Sequence, residues 1–191
     1  MRIISGSARG RRLAEFTGTQ VRPTSDRARE ALFSLLFSRL GNFSGLSVLE
    51  LFAGRVAMSL GAISRHALSA VLVDSSPDAI KLIEENVRRC KFQDQVTVLR
   101  LDARKGLSGV VHQGPYDLIF MDPPYGKNLI PQVLNEIDCL NLLSVGGIIC
   151  AESETEFSPA DTGSLECFDS RRYGGSAIHL FRTRETIEDQ S

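Results

Sequence analysis

With 191 residues, 42% of them hydrophobic, the chain is long enough to bury one substantial α/β core and too short for two full domains. A formal net charge of −1 argues against a protein that gathers polyanions through its overall field. Cys90, Cys139, Cys150 and Cys167 form no C-x-x-C pair, and His66, His112 and His179 do not stand at ligand spacing from them, so neither a zinc site nor a disulfide scaffold is expected.

Charge is unevenly spread. Residues 1–30 carry Arg2, Arg9, Arg11, Arg12, Arg22, Arg27 and Arg29 against Glu15, Asp26 and Glu30. Such a local basic face can bind phosphates on a neutral protein. The opening MRIISGSARGRRLAEF mixes short apolar pieces with Gly6 and Gly10 and reads as a small hairpin or extended arm rather than core. From Thr24 or Ser25, which can cap a helix, Ala31, Leu32, Leu35, Leu36 and Leu40 form an apolar stripe that Gly41-Asn42 ends. We therefore expect a basic arm over 1–23 and one α/β domain over 24–191.

Strands and helices alternate from there on. SVLELFA (47–53) suits a strand buried on both faces, with a helix from Val56 to Arg65 behind it. AVLVD (70–74) is a second strand, and Pro77 stands near the start of a helix reaching Arg89. VTVLRLD (96–102) and YDLIFMD (116–122) are the third and fourth strands. A helix around 129–141 and a Gly146-Gly147 turn lead to a fifth strand, IICAE (148–152). Two further strands meet at Gly174-Gly175 as an antiparallel pair. Strands alternating with helices imply a mostly parallel sheet, whose ligands bind beyond the carboxyl ends of the strands.

The strongest local signal is Asp122-Pro123-Pro124-Tyr125, directly after the fourth strand. An exocyclic base amine is a poor nucleophile because its lone pair is delocalised into the ring. The Asp122 carboxylate and the Pro123 carbonyl can accept its two N–H groups and hold the lone pair towards an electrophile. Tyr125 can stack on the base, which has to leave its own stack to be reached edge-on. Pro124 keeps the turn rigid. The second signal is Glu50-Leu51-Phe52-Ala53-Gly54, where a glycine lets backbone pass close beneath a ligand. Asp74 lies 20 residues further on, at the end of the next strand, where an acid can bond ribose hydroxyls. Asp74 and Asp102 are also placed to cap the segments after their strands; Asp102 can alternatively bond an adenine amine.

RIISGSARGRRL, RPTSDRAREALFSLL, LELFAG, VDSSPDAIKLIEENV, DLIFMDPPYG and RRYG together resemble the bacterial RsmD family of 16S ribosomal RNA guanine-N2 methyltransferases, over nearly the whole chain. The resemblance implies a Rossmann-like class I fold dependent on S-adenosylmethionine, with a seven-stranded sheet whose last strand is inserted antiparallel. It assigns Thr24, Arg27 and Glu30, with Arg22 and Pro23, to a segment over the methionine end of the cofactor. Glu50, Phe52, Ala53 and Gly54 match the loop beneath it, Asp74 and Ser75 the ribose end, and Asp102 and Ala103 the adenine pocket. Asp122 to Tyr125 match the catalytic turn, and the arm with Arg2, Arg9, Arg11, Arg12 and Arg22 the RNA-holding part. Implied too is ribosomal RNA, within a small-subunit assembly particle, as partner. From the residues themselves, with no apolar run of membrane-spanning length, no signal-peptide core, scattered cysteines and no extra apolar stripe, we expect no membrane, a cytoplasmic location and a monomer.

One position departs from the family, which reads F-A-G-T-G where this chain has Phe52-Ala53-Gly54-Arg55-Val56. If that backbone needs a positive φ, Val56 costs about 1–3 kcal/mol, or one to two powers of ten in cofactor affinity. Two rival readings remain: an adenine-N6 or cytosine-N4 methyltransferase, which leaves the arm unexplained, and an RNA-binding or assembly protein without cofactor.

Overall fold

A computed structural model describes residues 1–15, 26–54 and 58–184. Arg22, Pro23, Thr24, Arg55 and Val56, to which the sequence assigned roles, lie outside the described residues. Helix α1 (Asp26–Leu40) is followed by β1 (Ser47–Leu51), α2 (Met58–Ser64), β2 (Ser69–Asp74), α3 (Pro77–Cys90) and β3 (Val96–Arg100). A short 3-10 helix (Ser108–Gln113), β4 (Tyr116–Met121), α4 (Leu129–Cys139), β5 (Leu143–Glu154), β6 (Leu165–Tyr173) and β7 (Ser176–Thr183) complete the order.

The seven strands form one sheet in the order β3-β2-β1-β4-β5-β7-β6. The first five run parallel, and β7 enters antiparallel between β5 and β6. Strand order reverses between β1 and β4, the place where α/β sheets leave a crevice for ligands. Val48, Leu49, Leu51, Leu118, Ile119 and Phe120 are buried, because the strands are covered on both faces. One face packs Leu32, Leu36, Leu60, Ile63, Ile83 and Val87 of α1, α2 and α3. The other packs Val110 of the 3-10 helix and Ile130, Val133, Leu134 and Ile137 of α4.

Local chemistry fixes the helix ends. Ser76 caps α3 by accepting the Ala79 N–H at 3.4 Å, Pro77 needs no donor at the first turn, and Lys91 ends the helix in a left-handed conformation (φ 62°).

Three expectations are corrected. The amino-terminal segment does close as a hairpin, with an antiparallel bridge between Arg2 and Arg12, but it contributes to the core. Ile3, Ala8 and Leu13 are buried against the face carrying α1 to α3. A Cβ on Gly6 (φ +88°) would fall 1.7 Å from the Ser64 carbonyl oxygen, so the hairpin tip seats directly on the end of α2. In α1 the buried face is Arg29, Leu32, Phe33 and Leu36, whereas Ala31 is exposed. Gly146 and Gly147 do not form a turn before β5 but lie inside it. A Cβ on Gly147 would approach the Ser144 oxygen at 2.9 Å and the Asp117 oxygen at 3.1 Å, beside the register shift between β4 and β5. Glycine here marks an irregular strand rather than its beginning.

Candidate active site

Period-2 alternation builds the site. In β1, β4 and β5, Glu50, Phe120 and Cys150 are register partners, so their side chains share a sheet face. Two residues further along, Asp122 and Glu152 follow Met121 and Ala151, which are themselves paired across β4 and β5. Glu50, Asp122 and Glu152 therefore converge on one side of the carboxyl edge. They line a solvent-open cleft with Arg29, Leu32, Met58 and Ile178 among the other walls.

Glu50 is buried at 3% exposure and accepts the Met58 N–H at 3.0 Å and the Ser59 N–H at 2.7 Å. It thus anchors the N-terminal end of α2, whose exposed donors and dipole favour an acid. Burial pushes its carboxyl up to about 7 against the opposing pull of these N–H bonds, and the nearby Asp122 charge pushes the same way as burial. A carboxyl raised in the folded state contributes stability that is complete below its ordinary 4.5 and is lost as pH climbs through about 7. At about 1.4 kcal/mol per tenfold, the loss amounts to about 3 kcal/mol. Denaturant unfolding between pH 4.5 and 8 should show Glu50→Gln gaining on the native protein by about that much as pH rises. A gap that does not change with pH would remove Glu50 from this role.

Arg29 is 5% exposed and, among the described residues, is the one cation lining the cavity. Its Nη2 donates to Asp26 Oδ1 at 2.5 Å and to the Arg2 carbonyl at 3.3 Å, tying the hairpin to the start of α1. Arg27 and Glu30 are exposed on α1 and are not part of the cavity wall.

Next to Glu50 the chain leaves β1 through Phe52, which adopts a left-handed φ of 61°. For a non-glycine residue this is strained, as loops at ligand sites often are. Gly54 serves a different purpose from conformational freedom. A Cβ there would lie 2.6 Å from Ala79 Cβ and 2.9 Å from Asp74 Oδ2. The Gly54 N–H donates to that same Oδ2 at 2.9 Å, while Asp74 Oδ1 accepts the Ser76 N–H at 2.9 Å. Ala53 is held by its N–H to the Val73 oxygen at 2.9 Å. Asp74, half-buried, thus links the loop after β1 to the turn before α3, with Ser75 exposed beside it. Beyond β3, Asp102 accepts Arg104 Nε and Nη2, each at 2.7 Å, which holds its carboxyl below the usual range; Ala103 is buried. Glycine loop, Asp74 and Asp102-Ala103 form a row over β1, β2 and β3.

On the other side of the strand-order reversal stands the turn after β4. Pro123 is buried, Asp122 and Pro124 are half-buried, and Tyr125 is 44% exposed. The Tyr125 hydroxyl donates to Glu152 Oε1, and the Gly126 N–H to Glu154 Oε1, both at 3.4 Å. Burial raises the Tyr125 hydroxyl well above its usual range, with the Glu152 and Asp122 charges adding to it, so the phenol stays a neutral donor. The sequence reading gave no role to Glu152 or Arg29. The signal for Glu152 was present: FMD and CAE end neighbouring strands in the same phase. Nothing in the sequence marks Arg29 among its six companion arginines.

The arm residues lie apart from the cavity. Arg2 Nε donates to Asp26 Oδ2 at 3.1 Å, Arg11 Nη1 donates to the Arg89 oxygen at 2.5 Å, and Arg9 and Arg12 are exposed. Among the described residues no group of three or more histidine, cysteine or acidic side chains is placed to hold a metal ion, and no helix is long and apolar enough to cross a membrane.

Comparison with known proteins adds identity to this geometry. "Putative rRNA methyltransferase YlbH" of Bacillus subtilis is 31% identical over 186 residues, covering 96% of this chain and all of that one. Ribosomal RNA small subunit methyltransferase D of Escherichia coli is 31% identical over 157 residues, 82% of this chain and 76% of that protein. The solved structure of hypothetical protein TTHA0928 from Thermus thermophilus superimposes with a TM-score of 0.78 at 31% identity, covering 94% of this chain and 98% of that one. The model of the family described as conserved hypothetical protein 95 matches residues 1–182. The chain accordingly belongs to that family, the RsmD family of methyltransferases.

Proposed function

We propose that this chain transfers a methyl group from S-adenosylmethionine to the N2 amine of a guanine in 16S ribosomal RNA, acting on small-subunit assembly particles. Methylation of ribosomal RNA is the activity named for its curated relatives. The observation that carries the reading is the placement of Asp122 and Pro123 across the strand-order reversal from Gly54 and Asp74.

The residues present suit the cofactor. Gly54 and Asp74 already share a hydrogen bond, and a carboxylate has lone pairs enough to accept ribose hydroxyls besides. Asp102 and Ala103 continue the row at the nucleobase end. When bound, S-adenosylmethionine supplies a methyl group activated on a sulfonium, leaving S-adenosylhomocysteine as the by-product. The work left to the protein is alignment. Asp122 and the Pro123 carbonyl accept the amine's N–H groups, so the nitrogen lone pair points to the cofactor side of the crevice. Tyr125 covers the face of the flipped base. The amine loses one proton as its new N–C bond forms, and that proton leaves to solvent. Asp122 and Glu152 give the cavity a negative bias that Arg29 offsets only in part, and Glu50 adds to it only as pH climbs through about 7.

The direct test is transfer of labelled methyl from S-adenosylmethionine to small subunits from a strain lacking this gene, followed by mass spectrometry of the nucleosides. N2-methylguanosine is expected. N6-methyladenosine or N4-methylcytidine would reassign the base, and absence of label would overturn the activity.

The basic hairpin is proposed to hold RNA phosphates. Replacing Arg9, Arg11 and Arg12 together by alanine should lower the salt dependence of RNA binding, since each phosphate contact contributes about 0.7 to the logarithmic slope on a single strand. Filter binding between about 50 and 200 mM salt measures it. An unchanged slope would place the RNA elsewhere.

A further inference from the structure

We infer that Glu152 is a specificity-determining residue that reads the ring N1–H of guanine; the inference rests on the methyltransferase reading above. Asp122 and Glu152 are the next residues after a register pair on adjacent parallel strands. The strands that present them are spaced about 4.8 Å apart at that last pair, and both side chains line the same cavity. Guanine is the base whose exocyclic amine sits next to a protonated ring nitrogen. Its Watson–Crick edge presents two adjacent donors, N2–H and N1–H. Adenine and cytosine pair their amine with an unprotonated ring nitrogen, which is an acceptor.

A carboxylate accepts and does not donate. With the target amine held by Asp122 and Pro123, the position beside it along the sheet edge belongs to Glu152. Guanine places a donor there. Adenine or cytosine would bring a lone pair against a negative charge, with no proton between them. The Tyr125 hydroxyl, donating to Glu152 Oε1 at 3.4 Å, orients the carboxylate. Ile178, the register partner of Glu152 on β7, walls the same cavity. Sites built to bond a substrate N–H reject analogues lacking it far more strongly than apolar pockets reject a change of shape.

2-Aminopurine tests this in combination with the Glu152 variants: it keeps the exocyclic amine of guanine and lacks N1–H and O6, and the loss of O6 is common to native enzyme and variants. The substrates are small-subunit RNAs carrying guanine or 2-aminopurine at the nucleotide that takes up the label, located by nuclease mapping, prepared by ligation and assembled into particles. The native enzyme should prefer guanine by at least about 100-fold in kcat/KM. Glu152→Gln, whose amide can both donate and accept, should bring the ratio within about tenfold, as should Glu152→Ala at a lower absolute rate. A residue that merely props Tyr125 would slow both substrates alike and leave the ratio untouched. That result would overturn the assignment. Equal use of both substrates by the native enzyme would overturn it as well, needs no variant to fold, and would leave guanine methylation standing. Failure to methylate guanine at all would remove the functional reading and this inference with it.

Discussion

Replacing Asp122 by alanine is expected to lower single-turnover methyl transfer by about 10²–10³-fold, the usual consequence of removing one preorganised group that meets charge developing in the transition state. Folding should not suffer. Asp122 raises the carboxyl of the buried Glu50, so its removal relieves repulsion inside the cavity. Cofactor affinity should change little, because Gly54 and Asp74 lie on the far side of the strand-order reversal. Rapid-quench transfer of labelled methyl, calorimetry with S-adenosylmethionine and thermal unfolding separate the three quantities. Near-native turnover in this variant would end the case for Asp122 as the amine's acceptor.

The second large effect is expected at Gly54. An alanine methyl would meet Ala79 Cβ at 2.6 Å, and neither partner has a rotamer through which to yield. It would also meet Asp74 Oδ2 at 2.9 Å, the oxygen that accepts the Gly54 N–H. Relief requires the start of α3 to move away from the loop after β1, opening the join between the first two strands. Overpacking of this kind costs about 1–3 kcal/mol of stability. Because the displaced atoms are those proposed to carry the ribose, cofactor affinity should fall by at least about tenfold. Urea unfolding and calorimetry report the two losses. An alanine variant that binds as tightly as the native protein would show that this loop does not form the cofactor floor.

The parallel strands were legible because burial on both faces leaves nearly continuous apolar runs, as in Val48 to Leu51, broken by Glu50 alone, and Leu118 to Met121. Glu50, Asp74, Asp102 and Asp122, within or at the end of the first four strands, point to the carboxyl edge from the sequence alone. The 3-10 helix Ser108–Gln113 escaped notice because six residues containing a glycine carry too little periodicity to register. Gly146-Gly147 was misread because a glycine that admits a neighbouring backbone and a glycine that turns the chain look alike in one dimension. The hairpin was misread through composition, since its arginines outnumber the three small apolar side chains that anchor it. Arg29 and Glu152 depend on tertiary placement: an α1 arginine becomes a cavity wall only when the helix crosses the edge of the sheet.

The position of β7 bears on how the enzyme comes into being. It pairs with β5 along Ile149 to Glu154, the strand segment that presents Glu152, and supplies Ile178 opposite that acid. During synthesis the nascent sheet therefore has an open edge at β5 until residues beyond Thr183 have cleared the exit tunnel. The cavity's fifth-strand wall closes only when β7 pairs with β5, so the site depends on the strand that is synthesised last of the seven.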